Sequence, residues 1–65
     1  MRAIGLTPDH IGRVIRFTGK NGDLTYKTRV RLDHFITYDD CMELGNRNEE
    51  RYFVDFETKI EMEQQ

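Results

Sequence analysis

Apolar and polar residues alternate with a period of two along the stretch from Leu24 to Ile36. One side carries Leu24, Tyr26, Thr28, Val30, Leu32, His34 and Ile36, and the other carries Thr25, Lys27, Arg29, Arg31, Asp33 and Phe35. A period of two, with β-branched and aromatic residues on the apolar side, predicts a half-buried strand. The usual strand has only about five to six residues, so we expect this one to bend sharply and serve two sheets or close a small barrel.

The residues before this strand predict a hairpin. Residues 13–18 indicate a first strand, in which Ile15 and Phe17 share a face, and the segment 19–23 reads Gly-Lys-Asn-Gly-Asp. Asn21-Gly22 is a strong hairpin signal, because a type I′ turn needs a positive φ at both central residues. We therefore expect the first strand and the long strand to be antiparallel neighbours.

Shorter elements are predicted at both ends of the chain. Residues 7–12 indicate one helical turn, with Thr7 as N-cap, Pro8 in the first position and Gly12 as terminator. Residues 41–44 fit either a short strand or a helical turn, and we favour the strand. Residues 51–56 and 60–62 indicate two further strands, and residues 63–65 a frayed tail. The predicted core collects the inward residues of all these elements: Ile15, Phe17, Leu24, Val30, Leu32, Leu44, Val54, Phe56 and Ile60.

Length and composition bound the class of protein. Sixty-five residues make a single domain, residues 1–65, near the lower size limit for folding without disulfides or metals. The single cysteine, Cys41, excludes an internal disulfide and fits a reducing compartment. The sequence has no run approaching the ~20 apolar residues of a membrane span. We expect a cytoplasmic protein that does not engage a membrane.

Charge is divided unequally along the chain. Residues 1–31 hold seven basic and two acidic residues, giving +5, whereas residues 32–65 hold three basic and ten acidic residues, giving −7. This division allows an electropositive face, an acidic face or pairing between subunits. Alternatively, folding intermixes the two sets into a patchwork surface.

Catalysis and metal binding are poorly supported by the sequence. The chain has no serine, and a small barrel is expected to lack a cleft of ~300 Å³ or more. Cys41 and His34 could act as a nucleophile and its base, but lone residues of these types are more often structural. His10, His34, Asp40 and Cys41 lack zinc-site spacing, and Asp39, Asp40 and Glu43 lack the pattern of a calcium loop. We predict no cofactor, no metal site and no small-molecule substrate.

The outward side of the long strand is the strongest candidate binding surface. Lys27, Arg29 and Arg31 form a basic row with a spacing of ~6.6–7 Å, close to that of phosphates along one nucleic-acid strand. The candidate site consists of this row with its basic and aromatic neighbours: Lys27, Arg29, Arg31, Phe35, Tyr38, Arg13 and Arg16. Carboxylates on a neighbouring strand could instead neutralise the row, since the net charge is −2.

The order of predicted strands resembles that of SH3-like small barrels, particularly the Sm-like kind. The resemblance covers residues 11–62, with an acidic turn in residues 32–44 and a brief last strand after Glu57. The opening residues 6–13, Leu-Thr-Pro-Asp-His-Ile-Gly-Arg, are similar to small SH3-like phage proteins. The chain lacks the bend glycine and the RNA-loop Asn of Sm proteins, so an Sm-type uridine pocket is not expected.

The resemblance implies an all-β, five-stranded SH3-like barrel preceded by a short helical turn. Such barrels commonly bind through exposed edges and aromatic loops, and Sm-like ones pair edge strands into rings. We therefore expect a non-enzymatic module that binds a protein partner or a second copy of itself. A barrel that binds single-stranded RNA is the alternative.

Overall fold

A computed structural model of the protein describes residues 1–63 and shows an all-β chain, as predicted. Two short 3-10 turns open it, and six strands follow. The elements are the 3-10 turns Ala3–Gly5 and Pro8–His10, then β1 Val14–Asn21, β2 Leu24–Arg31, β3 His34–Thr37, β4 Met42–Gly45, β5 Arg51–Val54 and β6 Ile60–Met62. Residues 42–45 are a strand, so the favoured reading of that segment is confirmed.

The strands form two antiparallel sheets of three strands each. The first sheet has the order β2-β1-β6, and the second has the order β3-β4-β5. The five-stranded barrel is not confirmed: residues 1–63 contain six strands, and their two sheets do not close into a barrel. Phe17 of β1 and Tyr52 of β5 meet edge to face between the sheets, with ring centroids 5.7 Å apart.

The hairpin between β1 and β2 is confirmed, with its turn one residue later than predicted. Asn21 pairs with Leu24, so Gly22 and Asp23 are the two central residues. The φ of Gly22 is +65°, a value that glycine adopts without a steric penalty. Leu24 consequently lies at the tip of the hairpin and is 72% exposed, so its assignment to the core was wrong.

The predicted long strand is divided into β2 and β3 by a bend at Leu32 and Asp33. The N–H of Leu32 donates to Arg13 O in the first sheet at 2.9 Å, whereas the N–H of Asp33 donates to Gly45 O in the second sheet at 2.9 Å. The chain therefore passes from one sheet to the other within two residues, as expected for a strand that serves two sheets. The bend also exchanges the two sides: Phe35 packs against the core and Ile36 is exposed, opposite to the prediction.

The core lies between the two sheets and the N-terminal turns. Seven of the nine predicted core residues are buried, and Phe56 is half-buried against them. Three further buried hydrophobic residues were not in the predicted core: Ala3 and Leu6 from the N-terminal segment, and Met42 from β4. The N-terminal segment covers the core because its backbone is tied to the C-terminal half, where Ala3 N–H donates to Thr58 O at 2.8 Å.

The predicted turn at residues 7–12 is present as a short 3-10 turn. Thr7 precedes it, Pro8 is its first residue, and Gly12 follows with a φ of +91°. The side chain of His10 closes the turn by accepting the N–H of Thr7 at Nδ1, at 2.9 Å. Within residues 1–63, no helix is long and apolar enough to cross a membrane.

The prediction of a frayed tail at residues 63–65 was wrong for Glu63. Its N–H donates to Val14 O at 3.0 Å, which extends the pairing of β6 with β1 by one position. Gln64 and Gln65 lie outside the described residues.

Candidate functional site

The structure divides the predicted site residues between the two sheets. Lys27, Arg29 and Arg31 are exposed on β2, and Arg16 lies directly opposite Arg29 in the β1–β2 register, on the same face. Phe35 and Tyr38, in contrast, belong to the second sheet and its following turn. The residues of the predicted candidate site are therefore divided between two sheets.

Carboxylates neutralise much of the basic face. Arg29 forms a bidentate ion pair with Glu63, in which Nε donates to Oε2 at 2.6 Å and Nη2 donates to Oε1 at 2.8 Å. Arg16 Nη2 lies 3.3 Å from Glu61 Oε2. Both pairs join the basic half of the sequence to the acidic half, because β6 pairs with β1. The alternative of an intermixed charge pattern is therefore the one that the structure supports for this face.

Two other basic residues, Arg13 and Arg2, form contacts away from the exposed face of Arg29 and Arg16. Arg13 is half-buried beside the bend, and its carbonyl accepts the N–H of Leu32. Arg2 forms a further pair with Glu57, at 2.8 Å. Arg13 is thus placed beside the strand crossing and away from the exposed face of Arg29 and Arg16.

A groove of about 620 Å³ runs over the first sheet. Its walls carry residues of both signs: Arg16, Lys27, Arg29 and Lys59, with Asp55, Glu57 and Glu61. The groove is open to solvent rather than enclosed, so it does not contradict the expectation that the chain lacks a cleft that buries a small molecule. The ion pairs described above involve several of its wall residues and balance their charges.

The pairing of Arg29 with Glu63 predicts a pH-dependent contribution to stability. The hydrogen bonds and charge of Arg29 lower the pKa of Glu63 in the folded protein. A group with a lowered folded pKa contributes stability above its unfolded pKa, and this contribution disappears as the pH falls through the folded value. We expect Glu63→Gln to lower the melting temperature at neutral pH and to have no effect at pH 2. Glu49→Gln is the control, and an equal loss from both substitutions would contradict the pairing.

The outer face of the second sheet carries exposed apolar side chains. The register places Ile36, Glu43 and Phe53 side by side across β3, β4 and β5. Ile36 and Tyr38 are each 42% exposed and Phe53 is 57% exposed. The rings of Tyr38 and Phe53 lie 6.5 Å apart at an angle of 35°. We call Ile36, Tyr38 and Phe53 the apolar patch.

Glu43 lies in the middle of this face and is nevertheless only 7% exposed. His34 Nε2 lies 3.0 Å from Glu43 Oε2, and the hydroxyl of Tyr38 donates to Glu43 Oε1 at 3.2 Å. Each carboxylate oxygen therefore has a partner, which a buried acid requires. Burial and the hydrogen bond to Glu43 raise the pKa of Tyr38, so its phenol stays protonated as a donor at neutral pH.

Gly45 allows His34 to reach Glu43. It is the cross-strand neighbour of His34, and the imidazole ring lies where a Cβ at this position would be. Any side chain at position 45 would displace the ring and remove a partner from the carboxylate. The three residues therefore form one local unit, in which a glycine on β4 permits the contact between β3 and the buried acid.

The proposed roles of Cys41 and His34 in catalysis find no geometric support. His34 Nε2 is bonded to Glu43, and burial together with the nearby carboxylates of Asp40, Asp55 and Glu43 raises the pKa of the Cys41 thiol. A thiol that stays protonated is a poor nucleophile. Among residues 1–63, no group of three or more His, Cys, Asp or Glu side chains could hold a metal ion.

Sequence reasoning identified only Tyr38 of the apolar patch as a site residue. Phe53 was not assigned to a site, and the alternation placed Ile36 inward. The sequence carried no signal that Glu43 is buried, because alternation places it on the face opposite the inward residues Met42 and Leu44. Comparison with protein-family models, curated proteins and solved structures found no match for this chain.

Proposed function

We propose that this protein is a small, non-enzymatic binding module that contacts a protein partner through the apolar patch. The observation that carries the proposal is the exposure of Ile36, Tyr38 and Phe53 together on one sheet face. Single exposed apolar residues are ordinary, whereas an exposed group of them indicates an interaction surface. Aromatic residues are also the ones that most often dominate binding energy at protein interfaces.

The surroundings of the patch favour binding in a fixed conformation. Tyr38 is held by its hydrogen bond to Glu43, which is in turn held by His34. A side chain that is already ordered loses less conformational entropy when a partner docks on it. Glu43 and His34 thus fix the position of Tyr38, while the rings of Tyr38 and Phe53 are exposed and can contact a partner.

The strand order gives a reason to retain the SH3-like resemblance as part of the proposal. A bent pair of strands, β2 and β3, links two three-stranded sheets, which is the role assigned to the second strand of such domains. The similarity of residues 6–13 to phage proteins and the single cysteine support a regulatory, phage-encoded protein in the cytoplasm.

Binding of single-stranded nucleic acid is less well supported than protein binding. Lys27 and Arg31 are exposed on one face of β2, but Arg29 between them forms a bidentate ion pair with Glu63. A phosphate would have to displace that carboxylate. We therefore keep nucleic acid as the alternative against which the proposal is tested.

Capture from the native cells, with and without nuclease, separates the two partner classes. We expect the partner to be a protein that nuclease does not release, and Phe53→Ala to weaken its binding by ~2 kcal/mol or more, about thirtyfold. Leu24→Ala is the matched control, because Leu24 is an exposed apolar residue outside the patch. Loss of the partner on nuclease treatment, or on Lys27→Glu/Arg31→Glu but not on Phe53→Ala, would overturn the proposal.

A further inference from the structure

We propose that the partner of the apolar patch is a second copy of this chain, docked face to face through a two-fold axis. The inference rests on the proposed function, because it uses the same patch. Its own support is the arrangement of charge around Phe53. Arg51 and Asp55 lie two residues before and two residues after Phe53, and all three are exposed.

Opposite charges therefore flank Phe53 along the chain, with Arg51 before it and Asp55 after it, and Asp55 also borders the groove over the first sheet. Alternate residues of an extended chain share a face and lie ~6.6–7 Å apart. Arg51 pairs with Gly45 at one end of β5, and Asp55 directly follows Val54, which pairs with Met42 at the other end. The charge of Asp55 contributes to the raised pKa of the Cys41 thiol, which agrees with this placement.

Consider a two-fold axis that runs perpendicular to the strands, along the row of Ile36, Glu43 and Phe53. This axis places the positive charge beside Phe53 of one copy opposite the negative charge of the other. Rotation about this axis reverses the direction of the strands but keeps their order, so β5 lies over β5 of the second copy. Phe53 then meets Phe53, and Arg51 of each copy meets Asp55 of the other. Isologous interfaces of this kind use one self-complementary patch on both subunits.

An axis along the strands would not produce this match. It would place β5 over β3 of the second copy and bring Arg51 opposite His34, leaving Asp55 without a basic partner across the interface. Charge complementarity therefore selects the first axis over the second. Opposite charges at the rim fix the register of such a contact, while the apolar centre supplies the burial.

The size of the face sets the concentration at which the dimer forms. Three short strands present less than the ~800 Å² per partner of a standard interface, so the dimer belongs among weak, transient contacts. We expect the apparent mass, measured by analytical ultracentrifugation from about 10 µM to 1 mM, to rise toward twice the monomer mass. Leu24→Ala is expected to dimerise like the wild type.

Charge exchange tests the two-fold arrangement directly. Arg51→Asp places two carboxylates opposite each other at both ends of the interface, and Asp55→Arg places two cations there. We expect each variant alone to dimerise at least tenfold more weakly than the wild type. An equimolar mixture should restore association, because both contacts of the mixed dimer again join opposite charges. Thermal melts of each variant check that both remain folded.

Three results would overturn the inference. The first is a wild-type protein that stays monomeric at 1 mM. In that case, the proposed function still stands without self-association if Phe53→Ala weakens the binding of a different protein captured from the native cells. The second is a dimer that Phe53→Ala and both charge variants leave intact, which would place the contact on another face. The third is a mixture that associates no better than either variant alone, which would exclude the contact between Arg51 and Asp55.

Discussion

Replacing Val30 by Asp is expected to unfold the protein. Val30 is buried in the core and lies opposite Ile15 across the β1–β2 pair. A buried polar group without a partner costs ~1–3 kcal/mol, and an unpaired charge costs more. A domain of this size has a total stability of only ~3–5 kcal/mol, so the substitution removes most or all of it.

The measurement is a thermal melt followed by circular dichroism, with Thr18→Asp as the matched control. Thr18 is an exposed residue of β1, so it tests the effect of aspartate in a strand without burial. We expect the control to melt cooperatively near the wild-type temperature and Val30→Asp to show no cooperative transition. A cooperative melt of Val30→Asp near the wild-type temperature would show that the inward face of β2 is assigned incorrectly.

Removing the contact between His34 and Glu43 is the second change with a large expected effect. His34→Ala deletes a partner of a buried carboxylate, and Gly45→Ala displaces the imidazole that occupies the space above the glycine. We expect each substitution to lower the free energy of unfolding by ~1–3 kcal/mol, the cost of an unsatisfied buried polar group. Urea denaturation measures both values.

The two substitutions should be strongly non-additive, because they remove the same contact. Once His34 is alanine, a methyl group at position 45 has no ring to displace, so Gly45→Ala should add little in the double variant. Glu43→Leu is the informative companion, since replacing a buried hydrogen-bonded polar group by an apolar residue of similar size is often neutral. Additive losses in the double variant would contradict the assignment of Gly45 to the placement of His34.

The alternating pattern correctly predicted which residues face inward in the first half of the long strand. It was wrong in the second half for a physical reason. From Tyr26 to Leu32 the even-numbered residues face inward, as expected. At Leu32 and Asp33 the backbone changes its hydrogen-bonding partner from one sheet to the other. A period of two contains no information about such a crossing, so it assigned Phe35 and Ile36 to the wrong sides.

The candidate site was only partly predictable because it depends on neighbours across strands. Glu43 is buried by the side chains of β3 and the turn after it, and Arg29 is neutralised by a residue 34 positions away. Such long-range partners follow from strand pairing, which the sequence did not define for β4, β5 and β6. The proximity of Phe53 to Tyr38 likewise depends on the register of β3, β4 and β5.

Photocrosslinking from position 53 in the native cells tests the central claim, that the apolar patch contacts a protein. A photoreactive phenylalanine analogue at Phe53 preserves an aromatic ring at the exposed site, and the same analogue at Leu24 is the control outside the patch. We predict a protein adduct from position 53 that resists nuclease, and none from position 24. Equal adducts from both positions, a nucleic-acid adduct, or no adduct from position 53 would contradict the account.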